Sequence, residues 1–319
     1  MKRKFLLFSI FFFVFLFSGI CLLYNRDVSA GKPSYRITAV IPHNDTYYWS
    51  EIGNALISFG EENSIDVKVE VPQLNYNISQ MTQLIKKATA AQVDAIIVQG
   101  ISDNDYINAL RSAASQGIFI VFIDTDIEDF PTHLYVGSDN YNAGIAIGNY
   151  IKSLPSPNNH VAILSGKPDY SNLEYRINGI TDALASSENI HVETVLYDEF
   201  DSQQVYGIYQ SLSDEYPSID TLVCIEGTGG QTLGRLLTAD TKKLSHIIVF
   251  DRADETIAGI QNGTFDCLVT QNPNDMGRLT IQYLMNYFQN GTLDEWKYYT
   301  DVSILTQDSF SQGGHAYDH

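Results

Sequence analysis

Basic residues are scarce in this sequence. Its 319 residues include 19 lysines and arginines against 38 aspartates and glutamates, which gives a formal net charge of −19 with histidine neutral. A chain this acidic repels the phosphate backbone, which excludes nucleic-acid binding as its function. Charged residues amount to only 18% and hydrophobic residues to 44%, so the composition is that of a folded chain and not of a disordered one. At roughly 150 residues per domain, the length predicts about two domains.

Cysteine is also rare, with three residues in the whole chain. Three cysteines cannot build a disulfide scaffold. Cys224 and Cys267 each lie in a short apolar run, and the strand order predicted below places a third strand between them. Two strand spacings amount to roughly 9–10 Å, which exceeds the ~7 Å that a disulfide allows between Cα atoms. We therefore expect these two residues to be buried free thiols.

Motifs of enzyme active sites and cofactor sites are missing as well. Thr232 stands where the third glycine of a dinucleotide-binding turn would belong, and Pro168 follows Gly166-Lys167 where a phosphate loop needs Ser or Thr. Neither His-Glu-x-x-His nor Gly-x-Ser-x-Gly occurs. The sequence therefore predicts no catalytic residue, no metal site and no cofactor, and we do not expect an enzyme.

A long apolar run is present at the N-terminus. The uncharged residues 5–24 follow Met1-Lys-Arg-Lys4 and are long enough to span a membrane as a helix. The basic residues before the run are expected to stay in the cytoplasm, which exports the rest of the chain. Three alternatives remain open for residues 1–30: an uncleaved transmembrane anchor, a signal peptide cleaved after Ala30, and a lipoprotein anchored through Cys21. All three place the remainder of the chain outside the cytoplasm.

Short apolar runs alternate with amphipathic segments from residue 35 onward. Runs rich in valine, isoleucine and leucine predict strands buried on both faces at 36–42, 66–72, 94–100, 119–125, 134–139, 160–166, 191–199, 221–227, 246–251 and 267–272. Helices are predicted between them, with N-caps at Ser79, Asp103, Ser202 and Asp254. This alternation is typical of βαβ units. It predicts an α/β fold of two doubly wound parallel sheets in two Rossmann-like lobes, each with strand order 2-1-3-4-5.

Polar and aromatic residues follow the carboxyl ends of these strands, where open α/β sheets bind their ligands. They are mainly carboxylates, carboxamides and aromatic rings, and pairs of a nucleophile with a base are few. Carboxylates and carboxamides form paired hydrogen bonds to adjacent hydroxyls, and rings pack against apolar CH faces. The combination favours a polyol such as a sugar as the ligand.

Several stretches carry a resemblance to a known family. AVIPHNDTYYW, FIDTD, VGSDNYNAGIAIGNYI, LEYRINGI, IIVFD and LVTQNP occur in this order between about residues 35 and 308. The chain thereby resembles the periplasmic sugar-binding proteins of the ribose/galactose-binding type, which are type I periplasmic binding proteins. The resemblance implies a first lobe of 35–138 plus 273–299 and a second lobe of 139–272 plus 301–308, joined by a hinge with three crossings. Residues 309–319 would form a tail.

The resemblance also implies a sugar site between the lobes. Its expected residues are Asn44, Asp45, Tyr48, Trp49, Asp124, Glu174, Arg176, Phe200, Thr228, Asp251 and Gln271. Tyr48 and Trp49 would sandwich the sugar, although Tyr47 and Tyr48 form an alternative register. Phe200 would stack against the sugar from the second lobe, and Arg176 would be mainly structural.

Three of these positions depart from the pattern of ribose binders. Thr125 and Glu174 stand where ribose binders have arginines, and Thr228 stands where they have an asparagine. These departures argue against ribose itself.

The resemblance implies that the protein presents a bound monosaccharide to a membrane partner. The partner would be an ABC-type permease for uptake or, alternatively, a sensor kinase for signalling, and the exported part would be monomeric. The effector domains of lac-repressor-type regulators share the fold, but they need a basic DNA-binding headpiece, and this chain has an apolar segment in that place. An enzyme on the same fold is the third alternative.

Overall fold

The computed structural model describes residues 35–43, 46–155 and 159–311. The expected anchor or signal peptide at 1–30 and most of the expected tail lie outside these residues. Within them, no helix combines the length and the apolar character that a membrane crossing requires.

Two six-stranded sheets organise the described residues. The first sheet has the order β11-β5-β4-β3-β1-β2 and is parallel throughout. Its strands are β1 (Tyr35–Val40), β2 (Ile65–Glu70), β3 (Ala95–Val98), β4 (Phe119–Ile123), β5 (Leu134–Ser138) and β11 (Lys297–Thr300). The residues of β3, β4 and β5 are all buried, as expected for strands covered by helices on both faces.

The second sheet repeats this arrangement with the order β12-β10-β9-β8-β6-β7. Its strands are β6 (Asn159–Ser165), β7 (Ile190–Tyr197), β8 (Thr221–Cys224), β9 (His246–Phe250), β10 (Cys267–Thr270) and β12 (Ser303–Leu305). Only the edge strand β12 is antiparallel to its neighbour. The predicted order 2-1-3-4-5 is therefore confirmed in both sheets, and each sheet gains one edge strand.

Ten helices connect and cover the sheets within the described part of the chain. They are α1 (Tyr47–Glu62), α2 (Ile78–Ala90), α3 (Asn104–Ser115), α4 (Asn140–Ser153), α5 (Ser171–Leu184), α6 (Ser202–Glu215), α7 (Gly227–Leu236), α8 (Asp254–Gln261), α9 (Pro273–Asn290) and α10 (Gln307–Ser311). We call the first sheet with α1, α2, α3 and α9 the first lobe, and the second sheet with the other helices the second lobe. The chain passes between the sheets after β5, after β10 and between β11 and β12.

The two cysteines in the described residues are free and buried, as predicted. Cys224 lies on β8 and Cys267 on β10, and β9 separates them.

The helix caps were predicted less well. Asp103 caps α3 through its carboxylate, as predicted. The predictions of Ser79, Ser202 and Asp254 are wrong, because these residues lie inside the first turn and the N-caps are Asn77, Asp201 and Ala253. At Asn77 and Asp201 a side-chain oxygen accepts a backbone N–H of the first turn, whereas Ala253 supplies no side-chain cap.

Close packing of α4 against α5 positions one functional side chain. A Cβ on Gly144 would overlap the backbone of α5 at Arg176, and a Cβ on Gly179 would overlap the backbone of α4 at Tyr141. Glycine at both positions therefore lets the two helices approach until their backbones touch. The approach holds the base of the Arg176 side chain at the boundary between the lobes.

Candidate functional site

Two aspartates occupy equivalent positions at the carboxyl ends of the fourth strands of the two sheets. Asp124 follows β4 with φ of +70°, and Asp251 follows β9 with φ of +67°. The N–H of Asp124 donates to the oxygen of Val136 at 3.0 Å, and that of Asp251 donates to the oxygen of Val269 at 2.9 Å. Aspartate tolerates this left-handed conformation better than most residues. The repeated fold thus carries two carboxylates to the junction between the lobes.

Asp124 is the acceptor of a dense hydrogen-bond network. The hydroxyl of Tyr48 donates to Asp124 Oδ1 at 2.6 Å. Asp124 Oδ2 accepts from Gln99 Nε2 at 2.9 Å, from Thr125 Oγ1 at 2.7 Å and from Asn172 Nδ2 at 3.3 Å. Asn172 belongs to the second lobe and the other donors to the first, so this carboxylate bonds both lobes together. It is 4% exposed.

Gln271, which follows β10 at the second crossing, links the other polar groups. Its Oε1 accepts from Ser138 Oγ at 2.8 Å and from Arg176 Nη2 at 3.2 Å. Its Nε2 donates to Asp251 Oδ1 at 2.8 Å. The side chain therefore connects the ends of β5, β9 and β10 with α5.

Arg176 is buried and fully engaged. Besides Gln271, its Nε donates to Asn140 Oδ1 at 2.8 Å and its Nη1 to the carbonyl oxygen of Ile225 at 2.7 Å. The guanidinium lies over the ring of Phe250, 3.8 Å from the centroid. These contacts hold a positive charge close to the two aspartates, and they supply the hydrogen bonds and opposite charge that a buried cation requires.

The first turn of α1 supplies two aromatic side chains to the junction. Tyr48 and Trp49 are 9% and 3% exposed and meet edge to face at 5.4 Å. Tyr47 is 43% exposed and lies beside the guanidinium of Arg252 instead. Of the two registers left open by the sequence, the structure thus directs the Tyr48–Trp49 pair inward.

A stack of two rings bridges the lobes at one side of the junction. Tyr76, in the loop before α2, lies parallel to Phe200 of the second lobe with 4.7 Å between ring centroids and 9° between planes. His43 Nε2 is 3.3 Å from the hydroxyl of Tyr76, and Tyr170 meets Phe200 edge to face at 5.4 Å. Burial is the main reason that the pKa of Tyr76 lies well above its ordinary value.

A cavity of about 220 Å³ lies between these groups. Both lobes line it: the first contributes His43, Tyr48, Trp49 and Tyr76, and the second contributes Phe200, Glu226, Thr228 and Asp251. We call it the cleft cavity. Concave sites that combine aromatic walls with a few polar groups are typical of small-molecule binding.

Two further carboxyl groups form the floor of the second lobe beneath this cavity. Glu226 caps α7 by accepting from the N–H groups of Thr228 and Gly229, both at 2.8 Å. Asp198 accepts from the N–H of Phe200 at 2.9 Å and is fully buried. Burial, followed by the charge of Glu226, raises the pKa of Asp198 to about 9. Asp198 therefore holds its proton at neutral pH, which removes its repulsion with Glu226.

Burial also raises the pKa of Asp251, to about 6. The charges of Asp124 and Glu226 act in the same direction, whereas Arg176 and the hydrogen bond from Gln271 oppose them. Asp251 is therefore ionised at neutral pH but close to titration. Burial and the nearby Asp124 keep the pKa of Tyr48 well above its ordinary value, so its hydroxyl remains a donor.

The structure brings together most of the predicted site residues. Tyr48, Trp49, Asp124, Arg176, Phe200, Thr228, Asp251 and Gln271 surround or directly support the cleft cavity. Asn44 and Asp45 lie outside the described residues. Glu174 is exposed on α5 and does not line the cavity.

The spacing along α5 explains why Glu174 faces away and which residue was missed. Asn172 and Arg176 are four residues apart, so they share one face of the helix, and Glu174 between them points to the other side. The i, i+4 relation to Arg176 would have identified Asn172 from the sequence. Tyr76 and Asp198 were missed as well, although both come after strands, where ligand-facing residues are expected.

Comparison with known proteins is consistent with this geometry. The family model of the periplasmic binding protein domain matches residues 37–292. The ribose import binding protein RbsB of Bacillus subtilis is 22% identical over 217 residues, which cover 68% of this chain and 70% of that protein. The glucose-galactose binding protein GanP of Geobacillus stearothermophilus has a similar structure, with a TM-score of 0.79 and 23% identity over 86% of this chain and 98% of that one. The structure of the XylFII molecule has a TM-score of 0.74 and 24% identity with the same coverage, and a chain of the XylFII–LytSN complex has a TM-score of 0.76 and 24% identity.

Proposed function

The chain belongs to the periplasmic binding protein domain family, and from that premise we propose that it binds a monosaccharide between its two lobes on the extracytoplasmic side of a membrane. The resemblance drawn from the sequence is thereby confirmed at the level of the family. The observation that carries the proposal is the polar network on Asp124, Gln271 and Asp251, which joins donors and acceptors of both lobes at the carboxyl ends of both sheets.

The chemistry of the cleft cavity suits a sugar. Planar carboxylates and carboxamides match adjacent hydroxyl groups, and the Tyr48 and Trp49 rings offer apolar faces for the CH groups of a sugar ring. The similarity to a ribose import binding protein and to a glucose-galactose binding protein favours the same class of ligand. Thr125 and Thr228 depart from the pattern of ribose binders, so we propose a monosaccharide other than ribose.

Ligand binding would favour the closed arrangement of the lobes. A sugar in the cleft cavity adds contacts to both lobes at once, because both lobes line it, and such contacts exist only when the lobes are close. The three crossings beside β5, β10 and β11 would act as the hinge. The closed form would then be the one that a membrane partner recognises.

We propose an ABC-type sugar importer as that partner and an uncleaved N-terminal anchor as the tether. A membrane sensor kinase is the second candidate, because a tethered binding protein remains beside one dedicated partner and because XylFII, a structural neighbour, is found in a complex with LytSN. In the native host, deleting the gene should abolish uptake of the identified sugar in the first case. In the second case uptake should persist while the transcriptional response to the sugar is lost.

Sugar binding itself is tested by thermal shift with a panel of pentoses and hexoses. A ligand at 100 times its dissociation constant stabilises the folded state by about 2.7 kcal/mol. Asp251→Ala should weaken binding by roughly 2–5 kcal/mol, because it removes a carboxylate that lines the cleft cavity. Asp124→Ala should weaken binding by a similar amount, because Asp124 holds Tyr48 of the first lobe and Asn172 of the second lobe together at the site.

Asp266→Ala is the matched control. This aspartate is also partly buried and accepts from the N–H of Ile247 at 2.9 Å, but it lies at the amino end of β10, away from the cleft cavity. Undiminished binding by both cleft variants, or an equal loss in the control, would refute the proposed site.

A further inference from the structure

Negative charge exceeds positive charge around the cleft cavity. Glu226 and Asp251 line it, and Asp124 and Asp198 lie directly behind, whereas Arg176 is the single cation bonded into this cluster among the described residues. Arg235 also reaches the wall, but its Nε is paired with Glu255 at 2.8 Å. With Asp198 protonated, three carboxylates face one guanidinium.

Most of these carboxylate oxygens are already satisfied. Asp124 accepts from four side chains, and Glu226 accepts from two backbone N–H groups. Asp251 differs, because Gln271 donates only to its Oδ1 and no group in the described ranges donates to Oδ2. This second oxygen lies beside Gly227, where a Cβ would come within 3.4 Å of it. Because Asp251 lines the cleft cavity, this oxygen is an acceptor that a ligand can reach.

Aromatic rings line the same cavity as this oxygen. Tyr48, Trp49, Tyr76 and Phe200 all line the cleft cavity. The faces of such rings carry partial negative charge and attract ammonium groups, most strongly where water is excluded. The CH groups of a neutral sugar pack against the same rings but gain nothing from the excess negative charge around the cavity. The excess negative charge and the aromatic walls therefore both favour a ligand that carries an ammonium group.

The titration of Asp251 supports this reasoning. Its pKa is raised to about 6 by burial, and the charges of Asp124 and Glu226 contribute in the same direction. A cation bound at Oδ2 would offset both effects, because an opposite charge within a few ångströms favours the ionised carboxylate.

We propose that the ligand is an amino sugar, a monosaccharide whose ammonium group binds Asp251 Oδ2 within the aromatic walls of the cleft cavity. This inference rests on the proposed function and specifies its substrate class. The remaining hydroxyls of the sugar would bond to the polar groups of both lobes, and Arg176 would stay committed to Asn140, Ile225 and Gln271.

Matched sugars test the inference by isothermal titration with the full chain at pH 7. Each set contains an amino hexose, its neutral parent and its N-acetyl derivative, with the amino group at carbon 2, 3 or 6 of glucose, galactose and mannose. Because a charge-assisted hydrogen bond is about twice as strong as a neutral one, at least one amino sugar should bind about tenfold more tightly than its neutral parent. The N-acetyl derivative, which has no charge, should lose that advantage.

Asp251→Asn supplies the second arm of the test. It keeps the shape of the side chain and removes its charge, so the ratio of amino-sugar to neutral-sugar affinity should fall to about one. Asp266→Asn, at the opposite end of the sheet, should leave the ratio unchanged. Neutral parents that bind as tightly as every amino counterpart would overturn this inference and leave the proposed function standing. Failure of every sugar to bind would overturn both.

Discussion

Replacing Asp198 by asparagine should make the protein more stable at neutral and mildly alkaline pH. The carboxyl group of Asp198 is fully buried, and one of its oxygens accepts no hydrogen bond within the described part of the chain. Asparagine reproduces the shape of a protonated aspartate. Its carbonyl oxygen can still accept from the N–H of Phe200, and its amide can donate toward Glu226.

The magnitude follows from the raised pKa. The pKa of Asp198 is about 9 in the folded protein, against an ordinary value of 3.8. Between these two pH values the folded state binds one more proton than the unfolded state, so stability falls as the pH rises, by about 1.36 kcal/mol per pH unit. The loss accumulated at pH 7 is on the order of 4 kcal/mol, and the asparagine variant avoids it.

Urea denaturation followed by far-UV circular dichroism at pH 5, 7 and 9 measures this difference. The free-energy gap between variant and parent should widen as the pH rises from 5 to 9. Asp201→Asn is the control, because it removes the same charge from an exposed helix cap for which asparagine is equally suitable. Parallel stability profiles for parent and Asp198→Asn would show that Asp198 is ionised in the folded protein and would refute the reasoning.

Three further outcomes are expected. Sugar binding should change the intrinsic fluorescence chiefly through Trp49, which lines the cleft cavity, so Trp49→Phe should remove most of the fluorescence change. Trp296→Phe should retain the change, because Trp296 packs on Phe119 and Tyr287 instead. Tyr76→Ala should raise the sugar dissociation rate up to about tenfold in stopped-flow experiments, because an aromatic pair across the lobes stabilises closure by about 0.5–1.5 kcal/mol. Tyr206→Ala, on the exposed surface, should leave the dissociation rate unchanged. Affinity should fall as the pH is lowered through 6, because Asp251 then takes up a proton and loses its charge; equal titrations at pH 7 and 5 would contradict that role.

The fold was accessible from the sequence because buried parallel strands leave a strong pattern. The continuous apolar residues of β3 and β4 have no exposed face to interrupt them, and the repeat of strand and helix leaves few possible topologies. The positions of Asp124 and Asp251 were also accessible, since both directly follow such strands.

The details of the site were harder to predict, because they depend on which face of a helix each residue occupies and on how closely the two lobes approach each other. Glu174 and Arg176 were both expected at the site, yet residues two apart on a helix cannot share a face. The partnership of Tyr76 with Phe200 requires positive φ angles at both residues and a particular separation of the lobes. Neither the backbone conformation nor the separation of the lobes can be predicted from a local sequence pattern. The caps at Asn77 and Asp201 likewise depend on where the preceding loop becomes helical.

The three crossings between the sheets also determine the order in which the protein can fold during synthesis. Strands β6 to β10 are contiguous in the chain, so five of the six strands of the second sheet can assemble as soon as that stretch has emerged, and only the three-residue edge strand β12 is made later. The first sheet cannot be completed then, because its edge strand β11 and the helix α9 that packs on α1 are made later. Until they arrive, β5 presents an unpaired edge and α1 an uncovered apolar face, which are features that promote aggregation. The lobe that begins first therefore waits for a helix and a strand that are made only after five strands of the second lobe, and the nascent chain is most vulnerable while α9 and β11 are still being synthesised.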